Sequence, residues 1–180
     1  MENPFRNLLP SKVINNATSS KCNLLNIKAF YPESFDRILL DPPCSALGLR
    51  PKLCAHASVY ELNEQYPNFQ KMFIHKAITL LKPGGIMTYS TCTINASENE
   101  DMVRYVLDSF PCMDLVPIVY KTVGRPGLAG RGLSDKEREM VRRFHPTDDD
   151  DTMGFFVAKF IKRRSMQLRD GERGPHYINE

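Results

Sequence analysis

The chain has 180 residues, 42% of them hydrophobic and 25% charged, with a net charge of +3. That describes one globular domain with room for a core, and a charge too mild to identify a partner by itself. No apolar run approaches the roughly 20 residues that cross a bilayer. The five cysteines (Cys22, Cys44, Cys54, Cys92, Cys112) include no CxxC pair, which argues against a zinc site or a disulfide framework. An odd cysteine count without a signal peptide fits a reduced intracellular compartment, cytoplasmic or nuclear.

Residues 1–30, rich in Asn, Pro and Ser, lack a clear period and read as a poorly defined remnant. The folded part is expected over 31–164, followed by a polar, disordered tail over 165–180. Phe35 to Leu40 is a short, nearly continuous apolar run, as in a buried parallel strand. Gly48 to Asn63 is a long loop carrying Arg50, Lys52, Cys54 and His56. A helix follows with Pro67 in its first turn, and its predicted core face is Phe69, Met72, Phe73, Ala77, Leu80 and Leu81. Lys82-Pro83-Gly84-Gly85 stops it, and Ile86 to Tyr89 reads as the next strand. Such a strand–helix–strand crossover is right-handed and makes its two strands parallel. Ser97-Glu98-Asn99-Glu100 reads as a capping box opening a second helix that buries Met102, Val103, Val106, Leu107 and Phe110. Leu115 to Val119 and Phe155 to Ile161 are predicted as an antiparallel strand pair at the far side of the sheet. Between them lie a loop from Gly124 to Gly132 and a short helix opening at Ser134. Asp148 to Asp151 reads as solvated loop.

In this arrangement Asp41-Pro42-Pro43-Cys44-Ser45 and Ser90-Thr91-Cys92-Thr93 lie beyond the carboxyl ends of neighbouring parallel strands, where open α/β sheets gather their chemistry. Two thiols and a carboxylate there suit covalent attack on a flat electrophilic ring. A Cys92 thiolate can add to carbon 6 of a pyrimidine, leaving carbon 5 electron-rich and able to accept a methyl group. Cys44 can help break the adduct, as a base toward the carbon 5 proton or by assisting product departure. Asp41 can hydrogen-bond the ring nitrogen side of cytosine and can also face a cofactor. The plainer alternatives are buried structural thiols at two strand ends and an aspartate capping a turn. Lys159, Lys162, Arg163 and Arg164, with Arg50, Lys52, Arg125, Arg131, Arg142 and Arg143, are candidates for phosphate contact. Taken singly, each is better read as an ordinary solvated charge. Cys22, Cys54 and Cys112 read as structural, and no metal site is expected.

Together the two motifs resemble the signatures of the Fmu/Nop/Sun family of S-adenosylmethionine-dependent RNA cytosine carbon-5 methyltransferases. The likeness runs from about Phe35 to Lys162, through Leu81-Lys82-Pro83-Gly84-Gly85, Glu98-Asn99-Glu100 and Gly154-Phe155-Phe156-Val157-Ala158. Arg50-Pro51, Phe110-Pro111-Cys112, Gly132-Leu133-Ser134 and Arg143-Phe144 are similar to the subtype that carries a PUA module and methylates a cytosine near the tRNA acceptor end. The resemblance implies a partial class I (Rossmann-like) methyltransferase domain: an α/β fold with a parallel sheet and an antiparallel carboxy-terminal strand pair. It also implies S-adenosylmethionine as cofactor and RNA, tRNA in particular, as partner. By that likeness Cys92 is the nucleophile, Cys44 aids release, and Asp41 lines the cofactor and base pocket.

The chain departs from the family pattern. Ala46 stands where the family has glycine, which implies a displaced or stiffened loop after Cys44. Gly48 is the first glycine in the chain, so the family's glycine-rich cofactor loop has no counterpart, nor do its catalytic lysine and ribose-binding acid. The expectation is a carboxy-terminal part of the catalytic domain. One rival is an inactive fragment that only binds RNA or a partner. Another is a thiol redox protein, against which the lack of CxxC argues.

Overall fold

The computed structural model describes residues 30–49, 58–119, 123–147 and 152–166. The sequence features at Cys22, Arg50, Lys52, Cys54, His56 and Asp148–Asp151, and nearly all of the two terminal segments, lie outside the described residues. From Pro32 onward the chain forms one unit. Its strands are β1 (Phe35–Leu40), β2 (Leu81–Thr91), β3 (Met113–Val116), β4 (Arg142–Phe144) and β5 (Phe155–Lys162), and its α-helices are α1 (Tyr66–Leu80), α2 (Glu100–Ser109) and α3 (Asp135–Arg138).

The β1–α1–β2 crossover forms as its pattern predicts. Pro67 lies in the first turn of α1, and β1 pairs β2 in parallel, with Leu40 opposite Tyr89. The Pro83-Gly84-Gly85 stretch is the irregular start of β2, where the register jumps from Phe35↔Leu81 to Arg37↔Ile86. The face of α1 turned to the core differs from the predicted one. Pro67, Gln70, Ile74, Ala77 and Ile78 are buried, while Phe69 and Met72 are exposed. The apolar pattern misleads here because a polar residue, Gln70, finds buried partners.

The sheet is mixed, with strand order β1-β2-β5-β3 and β4 also on β5. Only β1 and β2 are parallel. β5 runs antiparallel between β2 and β3, and β4 continues β3's side of β5. The predicted antiparallel pair forms as β3 and β5, but β5 lies between β3 and β2, so the predicted parallel sheet is reduced to the β1–β2 pair of a mixed sheet. β3 begins earlier than Leu115, and the short β4 carries no period long enough to detect. β1 lies at one end of the strand order, and Leu39 is 75% exposed, so the apolar run of β1 is not the signature of a strand covered on both faces. The core lies between α1, α2 and the sheet, around Ile74, Ile78, Val103, Met87, Tyr89, Phe156 and Phe160.

The predicted capping box at Ser97 does not form. A 3-10 turn, Ala96–Glu98, precedes α2 and is capped by the Asn95 side chain, which accepts from the Ser97 N–H. Glu98 and Glu100 are drawn inward instead, because buried donors from distant segments meet them. The capping box that does form is at α3, between Ser134 and Glu137.

Lys162, Arg142 and Arg143 are buried, which corrects both of their earlier readings, phosphate contact and solvated charge. The Lys162 Nζ donates to the carbonyls of Ile78 and Leu81 at 2.9 and 2.7 Å and to Glu33 at 2.9 Å. It therefore satisfies carbonyls at the carboxyl end of α1, which the helix cannot satisfy itself.

Candidate active site

Parallel pairing of Leu40 with Tyr89 brings the segments after β1 and β2 to the same sheet edge. Antiparallel pairing of Thr91 with Phe156 brings the start of β5 there too. Backbone hydrogen bonds join the three segments: the Gly48 N–H donates to the Cys92 carbonyl at 3.0 Å, and the Gly154 N–H to the Gly48 carbonyl at 2.8 Å. A Cβ on Gly48 would fall inside the backbone of Gly154. Two glycines are therefore needed where these loops cross, as at other close backbone approaches.

Ala46, two residues before Gly48 in this loop, has φ at 53°. Glycine suits that left-handed conformation. Alanine adopts it here at a cost of roughly 1–2 kcal/mol. We expect Ala46→Gly to raise stability by about 1 kcal/mol, read as a higher urea midpoint. An unchanged or lower midpoint would show that the loop is unstrained.

The structure brings the two predicted thiols together: Cys44 Sγ lies 3.3 Å from Cys92 Sγ, and both side chains are half-buried. The two sulfurs titrate as a pair, and their shared hydrogen bond shifts them in opposite directions. The hydrogen bond from Cys44 favours the Cys92 thiolate; it outweighs burial and the nearby Asp41 charge and brings the Cys92 pKa down to about 7. The same bond, together with burial, pushes the Cys44 thiol well up. The pair therefore favours a thiolate on Cys92 and a proton on Cys44. Among the described residues, no group of three His, Cys, Asp or Glu side chains is placed to hold a metal.

Asp41 stands at the carboxyl end of β1, near enough for its charge to affect Cys92. Desolvation raises its pKa although the residue as a whole is exposed, and a hydrogen bond with the Ser90 side chain opposes that rise. Cys92 also lines a cavity of about 260 Å³ with Leu49, Phe144, Thr152, Met153, Gly154 and Phe155. The rings of Phe144 and Phe155 lie 6.4 Å apart at its wall. The Cys92 side chain thus shares this cavity with two aromatic side chains.

Beneath the thiols is a buried polar layer that the sequence reading missed. Glu98 is completely buried. It accepts from the Ser45 N–H at 2.9 Å, the Ser45 hydroxyl at 2.5 Å, Gln70 Nε2 at 3.0 Å and Asn95 Nδ2 at 3.0 Å. Gln70 also donates to the Pro43 carbonyl at 3.2 Å, and the Tyr89 hydroxyl donates to the Glu98 carbonyl at 2.7 Å. A glutamine among the apolar positions of α1 was the available signal.

A family profile described as 16S rRNA methyltransferase RsmB/F matches residues 8–161. The chain belongs to the RsmB/F family of RNA cytosine-C5 methyltransferases. Within this RsmB/F chain, 143 residues are 45% identical to the rRNA (cytosine-C(5))-methyltransferase NOP2C of Arabidopsis thaliana, covering 74% of the chain and 24% of that protein. Another 42% identity, over 159 residues, relates it to the tRNA (cytosine(72)-C(5))-methyltransferase NSUN6 of Homo sapiens, covering 76% of the chain and 34% of that protein. The crystal structure of NSun6 from Pyrococcus horikoshii with SFG superposes with a TM-score of 0.63 at 37% identity, over 73% of this chain and 31% of that one. The RsmB/F chain thus spans 24% to 44% of the length of such relatives. Family members use S-adenosylmethionine. Among the described residues, Asp41 places an exposed carboxylate just beyond the carboxyl end of β1.

Proposed function

We propose that this chain carries the reacting thiols of an RNA cytosine carbon-5 methyltransferase acting on tRNA, with Cys92 as nucleophile, Cys44 as the release thiol and Asp41 as the acid facing the base. The observation that carries this reading is the Cys44–Cys92 pair, 3.3 Å apart, beside a cavity walled by Phe144 and Phe155. Cytosine carbon 5 is a weak nucleophile until carbon 6 is attacked. A Cys92 thiolate adds to carbon 6, and the displaced electron pair moves toward carbon 5 and ring nitrogen 3. Asp41, with its raised pKa, is suited to protonate that nitrogen as charge develops. S-adenosylmethionine, when bound, supplies an electrophilic methyl group to carbon 5. Cys44 then serves the reverse step. Its proton passes to the departing Cys92 sulfur along the hydrogen bond that joins the pair, the Cys44 thiolate so formed takes the carbon 5 proton, and ring nitrogen 3 returns its proton to Asp41. A base must leave its stack to reach such a cavity, and aromatic walls compensate for lost stacking. The tRNA assignment leans on the relatives named as tRNA cytosine-72 methyltransferases.

The test is transfer of labelled methyl from S-adenosylmethionine to a tRNA transcript, with protein–RNA adducts resolved on denaturing gels. We expect Cys44→Ala to accumulate an adduct that survives denaturation; its absence would remove the release role from Cys44. A second reading is an RNA-binding or interaction module without catalysis. Calorimetry separates the two: no heat at millimolar S-adenosylmethionine would favour this second reading.

A further inference from the structure

We propose that Glu98 is the positioning residue of the thiol pair: its buried carboxylate clamps the Cys44 loop against the end of β2 through Ser45 and thereby sets the approach of Cys44 to Cys92. The inference rests on the thiol pair being the reacting centre, as proposed above.

The geometry is specific. Cys44 and Cys92 belong to segments 48 residues apart, and the Cys44 segment is a loop with two prolines and little backbone donor capacity of its own. Something must hold it to within a fraction of an ångström for one sulfur to donate to the other. Glu98 is six residues beyond Cys92 in the chain, yet two of its four hydrogen bonds come from Ser45, the residue next to Cys44. The other two come from Gln70 and Asn95, and Gln70 reaches on to the Pro43 carbonyl on the other side of Cys44. The Ser45 hydroxyl also lies 2.8 Å from Thr93 Oγ1, beside Cys92. Cys44 and Cys92 are thus each flanked by residues of one hydrogen-bonded layer whose hub is Glu98. All four donors to Glu98 are neutral, so the carboxylate serves as a four-fold acceptor, which an amide cannot replace: its nitrogen would face donors.

This role has an experimental sign. The described ionisable groups that act on Cys92 are Cys44, Asp41 and Glu98. The Glu98 charge by itself raises the Cys92 pKa, whereas the Cys44 hydrogen bond lowers it and is the larger influence. If Glu98 acted only through its charge, Glu98→Gln would make Cys92 more acidic. If it positions Cys44, the same substitution loosens the sulfur–sulfur hydrogen bond and makes Cys92 less acidic.

The experiment is iodoacetamide alkylation of the reduced protein across pH, with the Cys92 peptide followed by mass spectrometry. In the wild type the rate should rise with a midpoint near pH 7. In Glu98→Gln we expect the curve to move toward the roughly 8.5 of a free cysteine, with the rate at pH 7 falling on the order of tenfold. Ser45→Ala keeps the backbone contact and should lower the rate on the order of threefold, the scale of one neutral hydrogen bond; it carries the test if Glu98→Gln does not fold. Ser134→Ala, which removes the capping box of α3 and touches no member of this layer, should leave the Cys92 curve in place. A faster rate in Glu98→Gln, unchanged curves in both Glu98→Gln and Ser45→Ala, or an equal shift in Ser134→Ala would overturn the proposal. Methyl transfer runs alongside as a separate readout: shifted Cys92 curves in a protein that transfers no methyl group would leave the positioning role standing and remove the RNA methylation reading.

Discussion

Cys92→Ala is expected to reduce methyl transfer to RNA by on the order of a thousandfold or more, a loss typical of removing an enzyme's nucleophile. Without the sulfur, carbon 6 of cytosine has no covalent partner, and carbon 5 keeps the poor nucleophilicity of an aromatic ring. The substitution leaves the supporting layer intact, since Glu98 and Ser45 do not contact the Cys92 side chain in making their bonds. Cys92→Ser sharpens the test. A serine hydroxyl fills the site and accepts from Cys44, but it is not ionised near neutral pH, so activity should stay close to that of the alanine variant. No adduct should form with either variant, even when Cys44→Ala is added. A Cys92→Ser protein retaining a tenth of wild-type activity would refute the thiolate mechanism.

Arg143→Ala should cost about 3–5 kcal/mol of stability, the range found when one partner of a buried ion pair is removed. Arg143 Nη1 meets both oxygens of Glu100 at 3.0 Å, and both side chains are almost wholly buried. Glu100 also accepts from the Leu128 N–H at 2.9 Å, and Arg143 donates to the Ile94 carbonyl. The pair therefore ties the start of α2, the glycine-containing loop before α3, β4 and the segment after Cys92 into one unit. Truncating the arginine leaves the buried Glu100 carboxylate without its counter-charge and takes a donor from the Ile94 carbonyl, and the carboxylate dominates the cost. Urea unfolding measures it as a lowered midpoint at unchanged slope. A loss below about 1 kcal/mol would mean that the site relaxes to admit water.

These two residues mark the division between local and distant information. Cys92 was legible because its motif follows an apolar strand and faces a second cysteine motif after another strand. Parallel pairing was enough to bring the two together. Arg143 was misread, as were Arg142 and Lys162, because charge in a sequence carries no mark of burial. Their partners are far along the chain: Glu100 lies 43 residues from Arg143, and Glu33 lies 129 residues from Lys162. The Ser97–Glu100 stretch was read as a capping box for the same reason, since its local spacing suits one, whereas the donors that draw its glutamates inward are distant: Ser45 is 53 residues from Glu98 and Arg143 is 43 from Glu100. The face of α1 was misjudged at Gln70, whose burial depends on Pro43, Tyr89 and Glu98.

The amino-acid sequence alone determined the β1–α1–β2 crossover, the carboxyl-end placement of Asp41, Cys44 and Cys92, and the chemistry those residues can perform. Periodicity, proline and glycine punctuation, and nucleophile type are properties of neighbouring residues. The tertiary structure decided the antiparallel insertion of β5 and the inward turn of Glu98, Glu100, Arg143 and Lys162. It also decided the opposite pKa shifts of the two thiols. Each depends on partners brought close only by folding, because hydrogen bonds and desolvation act across a few ångströms of space, whatever the distance along the chain.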